Sequence, residues 1–194
     1  MGHRIVKNVP VLLCMAALLG FALGPRDARA APMPESHVKA AYLRNFTKLV
    51  TWPEHSFERE NSPLVIGVLG TDPFERALDE AIEGHKAHGR TLRIRRLSVV
   101  DGELPSTEQL SGCHLLFVSQ SERDRLPSIF ERLEGTNVLS VSDVENFAAS
   151  GGVAEFVLVG PNIKFRFNRQ AAKSAGLRPS ARLLSLAIIV EPAP

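Results

Sequence analysis

Cysteine is nearly missing from this chain. The 194 residues hold two, Cys14 and Cys113. Cys14 lies in an N-terminal apolar run that reads as removed on export, so the mature chain keeps Cys113 alone and forms no internal disulfide. An excess of charge of one sign is also missing, with 23 Lys and Arg against 21 Asp and Glu. A near-neutral chain offers no electrostatic footprint for nucleic acid. After the N-terminal run, no apolar stretch nears the roughly twenty residues of a membrane span. Catalytic signatures are absent too. There is no G-x-S-x-G elbow. The turn over residues 67–74 lacks the third glycine of a dinucleotide fingerprint and the lysine of a P-loop. No internal repeat, low-complexity tract or second domain is visible.

What is present begins with an export signal. Arg4 and Lys7 precede an apolar run over residues 9–23, and Ala28-Arg29-Ala30 has the small-x-small form of a cleavage site. Cleavage after Ala30 leaves 164 residues, enough for a single α/β domain over 31–194 with its own core. The removed piece carries Arg4, Lys7, Arg26 and Arg29 against Asp27, so the formal charge falls from +2 to −1. Export without a further membrane span points to the periplasm of a Gram-negative cell or to the cell exterior.

Helical spacing of Val38, Tyr42, Phe46, Leu49 and Val50 predicts a helix over 35–51, with Ser36 as N-cap and Pro53 as its end. Residues 64–70 form a short apolar run of buried-strand type. Asp72 and Pro73 then open a helix to about residue 83, and 84–89 is a polar loop. Strands follow over 91–97 and 113–119, a helix over 121–133, and a strand over 137–141. Ser142 and Glu145 form an S-x-x-E capping box for a short helix ending at Gly151-Gly152. Residues 153–159 and 163–167 make a hairpin about Gly160-Pro161-Asn162. Asn168 caps a helix to residue 175, Gly176 stops it, and a last helix follows Pro179. Strands alternating with helices predict an α/β fold. It is a Rossmann-like three-layer sandwich, a mostly parallel sheet with helices on both faces, ending in an antiparallel hairpin.

Candidate chemistry is sparse. His85 and His88 lie in a Gly-bounded loop without a carboxylate or thiolate to complete a metal site. Cys113 and His114 are adjacent on a strand and point to opposite faces, so they are no nucleophile–base pair. Asp143 and Glu145 read as helix-start residues. No catalytic residue, metal site or cofactor is expected. Two features stand outside a core role. Trp52, the only tryptophan, sits at a Thr-Trp-Pro corner, either covering the edge of the core or serving as a binding aromatic. Glu155, Lys164 and Arg166 form an outward row on the hairpin, either a solvated edge or a rim for a ligand or partner.

In order along the chain, AAYLRNFTKLVTWP, VIGVLGTDPF, CHLLFVS, VLSVSDVENFAASGGVAEFVLVGPNIKFRFN and AAKSAGLRPSARLLSLA resemble the YfiR/HmsC-like family of small exported bacterial proteins. The resemblance covers about residues 38–188. It implies an α/β sandwich and a periplasmic regulator that forms a homodimer. Such a regulator represses a membrane-bound diguanylate cyclase by binding its periplasmic domain, lowering cyclic di-GMP and biofilm formation. Some family cysteines pair as disulfides, whereas Cys113 has no mature partner. The alternative is a periplasmic receptor for a small-molecule ligand or cell-wall fragment, with Glu155 and Arg166 lining the pocket.

Overall fold

Helix α1 (Glu35–Leu49) opens the described part of the fold and buries Ala40, Leu43 and Phe46, three residues apart along one stripe. The computed structural model describes residues 1–2 and 33–190, so the expected export signal over 1–30 falls almost wholly outside the described residues. After α1 come β1 (Val50–Thr51), β2 (Leu64–Leu69), α2 (Ala77–Ile82), β3 (Lys86–Ala87) and β4 (Arg90–Leu97). Next are α3 (Thr107–Ser111), β5 (Leu115–Val118), α4 (Leu126–Leu133) and β6 (Leu139–Ser142). The chain continues with β7 (Ala154–Val159), β8 (Asn162–Asn168), α5 (Arg169–Ser174), β9 (Arg178–Pro179), α6 (Ala181–Leu186) and β10 (Ile188–Val190).

Eight strands form one sheet in the order β10-β8-β7-β6-β5-β2-β4-β3. The run β7-β6-β5-β2-β4 is parallel, and β7 and β8 are the antiparallel hairpin. All four residues of β5 are buried and β6 matches it, because both faces of a central parallel strand are covered. Leu64, Ile66, Val68, Leu115 and Phe117 pack with α1, α2 and α6 on one face. Leu69, Leu116 and Val118 pack with α3 and α4 on the other. This is the expected three-layer α/β sandwich with its C-terminal hairpin. From β2 and β5 the chain runs to opposite edges, so the order reverses between these two strands. The carboxyl ends of such strands are where open α/β sheets place ligands.

Hairpin and first helix are joined by aromatics. Phe46 meets Phe165 edge-on at 4.9 Å and stacks with Phe156 at 6.0 Å. Tyr42 lies against Phe156 and Phe165 and donates its hydroxyl to the Ile163 carbonyl at 3.1 Å. Such aromatic pairs each contribute about 0.5–1.5 kcal/mol beyond area burial.

Several expected boundaries differ. Residues 50–51 leave the first helix to pair with β9, and Pro34 rather than Ser36 holds the N-cap position. Asp72 accepts from the Phe74 amide, but α2 begins at Ala77. The loop over 84–89 contains β3, paired with β4. The helix expected over 121–133 is a 3-10 turn to Arg125 and α-helical only from Leu126. The expected helix after Ser142 is an irregular turn. Ser142 Oγ accepts from Val144 N at 3.0 Å and donates to the Val118 carbonyl at 2.7 Å, and Glu145 is exposed. Gly152 ends that turn for a packing reason: a Cβ there would lie 2.1 Å from the buried Phe147 ring.

Candidate functional site

Strand alternation and the register Glu155↔Arg166, Val157↔Lys164 put Glu155, Lys164 and Arg166 on one face of the hairpin, as expected. Their exposure is not as expected. Glu155 is 1% exposed, and the outward position read for it is corrected. The turn between β6 and β7 folds back over its carboxylate. Oε1 accepts from Asn146 N at 3.2 Å and Oε2 from Ala148 N at 3.1 Å. Arg166 Nη1 donates to Oε1 at 2.9 Å. The carboxylate therefore pins this irregular turn by two of its backbone amides. Of the row, Arg166 is half-buried and Lys164 exposed.

Trp52 is equally committed to the core. It is 4% exposed, and its indole Nε1 donates to the His114 carbonyl at 2.9 Å. His114 is the next node. Its Nδ1 accepts from Val65 N at 3.1 Å, so the proton sits on Nε2, which faces the Ser56 carbonyl at 3.0 Å. The Phe57 ring stacks on the imidazole at 4.3 Å. Burial pulls the His114 pKa down to about 4; the Ser56 carbonyl opposes this and the Arg90 charge adds to it. Cys113 is free and buried, and burial pushes its thiol up to about 11, partly offset by Arg95. His85 lies beside Arg44 Nη1 and His88 beside the Val50 carbonyl. Among the described residues, no group of three His, Cys, Asp or Glu is placed to hold a metal.

The strongest polar cluster that sequence reasoning missed lies where β6 ends. Lys39 on α1 reaches Asp143 Oδ2 at 2.6 Å and Glu35 Oε1 at 2.5 Å. Burial works against the ammonium, but hydrogen bonds and charges from both carboxylates outweigh it and hold Lys39 above its usual range. Asp143 Oδ1 is buried without a hydrogen-bond partner. A cavity of about 220 Å³ opens here, bounded by Lys39, Gln120, Asp143, Val157 and Leu158. Leu158 is 66% exposed, and Val159 beyond it is also exposed. An idle acceptor beside bare apolar surface suits a partner's donor and a partner's side chain better than bond-making chemistry. The i, i+4 spacing of Glu35 and Lys39 was the available sequence signal; Asp143 lies 104 residues away and left none.

No helix among the described residues is long and apolar enough to cross a membrane. A family model described as YfiR/HmsC-like matches residues 36–188, from the start of α1 to the start of β10, and the chain belongs to that family.

Proposed function

We propose that the mature protein is a periplasmic regulator that represses a membrane-bound diguanylate cyclase by binding its periplasmic domain, lowering cyclic di-GMP and biofilm formation. It carries out no catalysis of its own. Family membership over residues 36–188 is the observation that carries this reading. The surface supports it. Bare Leu158, on the α1 face of the hairpin, adjoins the Lys39–Asp143 cluster, while bare Val159 shares the opposite face with Lys164 and Arg166, so a partner would wrap the hairpin end. Apolar anchors with a polar surround are what protein interfaces use. We place the partner contact there, with Arg166 and Lys164 as its charged members. The export signal over 1–30 and cleavage after Ala30 belong to the same proposal.

A homodimer is part of the reading. Strand β10 is a sheet edge whose Ile188 and Ile189 are each 40% exposed, beside Leu186 at 59%. An apolar edge strand invites pairing with a second chain.

A photocrosslinker at position 158, expressed in the periplasm and followed by mass spectrometry, tests the contact. The expected product is a conjugate with a membrane cyclase, lost when Val159→Asp is introduced beside the crosslinker. A crosslinker that captures no cyclase while the protein is folded and exported contradicts the reading.

A further inference from the structure

On the sheet face that carries α4 lies a second cavity, of about 440 Å³, lined by the end of α4, the start of β6 and α5. It shares no lining residue with the cavity at Asp143. Its size falls within the range of small-ligand sites, roughly 300–1,000 Å³.

Ser140 on β6, Val153 just before β7 and Asn168 at the end of β8 are neighbours and form the floor. Val153 N donates to Ser140 Oγ at 3.0 Å, and Asn168 N donates to the Val153 carbonyl at 2.8 Å. Ser140 is 4% exposed. Its oxygen accepts from Val153, but its own proton has no acceptor among the described residues. Ser142, on the same face of the same strand, uses both its capacities, on Val144 N and the Val118 carbonyl. The idle proton therefore belongs to the position and not to the residue type. A buried hydroxyl donor left unmade is unfavourable unless something in the cavity accepts from it.

The remaining walls select the rest of the occupant. Phe130, Leu133 and Val138 give an apolar side. At the mouth stand Glu131 and Glu134, both exposed, and no lysine or arginine lines the cavity. We infer that this cavity binds a small amphipathic amine. Its apolar ring lies against Phe130 and Leu133, a hydrogen-bond acceptor at its inner end meets Ser140, and its ammonium sits between Glu131 and Glu134. The inference does not depend on repression of a cyclase, since binding is read on the isolated protein.

Isothermal titration with three matched probes tests it. Tyramine carries all three features, phenethylamine lacks the inner oxygen, and 3-(4-hydroxyphenyl)propionate replaces the amine by a carboxylate. Tyramine binds saturably, phenethylamine about tenfold more weakly, the size of one hydrogen bond, and the carboxylate does not bind. Ser140→Ala brings tyramine down to the level of phenethylamine and leaves phenethylamine unchanged. Glu131→Gln with Glu134→Gln weakens both amines. Ser174→Trp, a change at an exposed lining residue that leaves the floor intact, abolishes binding. No saturable tyramine binding at millimolar concentration overturns the inference. So does equal binding of the carboxylate, or tyramine binding that Ser174→Trp leaves unchanged.

Discussion

Arg166 and Glu155 face each other across the hairpin at 2.9 Å, and only the arginine reaches solvent. The glutamate simultaneously holds the amides of Asn146 and Ala148. The pair is thus a clasp between the hairpin and the turn before it. Glu155→Gln is expected to cost about 3 kcal/mol, because a buried charge pair is broken and a buried acceptor lost. Lys164→Ala, at an exposed position, stays within about 0.5 kcal/mol of the parent. Urea denaturation of the two variants checks the contrast.

His114 gives a pH dependence. Its folded pKa of about 4 lies below the unfolded value of about 6.5, so the unfolded chain binds the extra proton first. Its contribution is full above pH 6.5 and is lost as pH falls from there through 4. The urea midpoint should decline over that window. In His114→Gln, which keeps one donor and one acceptor, the decline should be smaller. Equal slopes in both proteins contradict the assignment.

Gly152 sits where a side chain has no room. Gly152→Ala drives a methyl into the Phe147 ring and should destabilise by about 1–3 kcal/mol. Gly160→Ala, with nothing within 4 Å of its Cβ but a φ of +60°, isolates the cost of backbone strain alone. Thermal unfolding should separate the two, with fluorescence or NMR reporting loosened packing around Phe147 only in the first.

Cys113 should be chemically silent in the native protein. Its thiol is 1% exposed and its pKa lies near 11, so the thiolate population at neutral pH is very small. Labelling by a thiol reagent should follow the unfolding rate, and a reductant should leave the melting temperature of the mature chain unchanged. Rapid labelling under native conditions contradicts this placement.

The parts of this fold that were legible are those written in adjacent residues. The hairpin showed itself by two-residue alternation around Gly160-Pro161. Asn168 accepts from Ala171 N as a cap should, and Gly176 takes a φ of +68°. What stayed hidden depends on distant pairing. Strand β10 exists only because Ile188–Val190 lie beside β8 after two intervening helices. Residues 50–51 leave the helical pattern because Arg178 and Pro179 pair with them. Ser142 and Glu145 have the letters of a capping box, but Ser142 takes only the Val144 amide, and Glu155, ten residues beyond Glu145, holds the later amides of Asn146 and Ala148. That same fold-back buries Glu155, which alternation alone placed on a face without saying whether the face was covered. The Lys39–Asp143 contact spans 104 residues and left no local trace.

The central claim is that this protein acts by restraining a cyclase. Cellular cyclic di-GMP, measured in a strain lacking the gene and in the same strain carrying the exported wild-type protein, tests it most directly. The account predicts a rise on deletion and a return to the parental level on complementation. An unchanged level in the deletion strain, with the cyclase present and active, would contradict it.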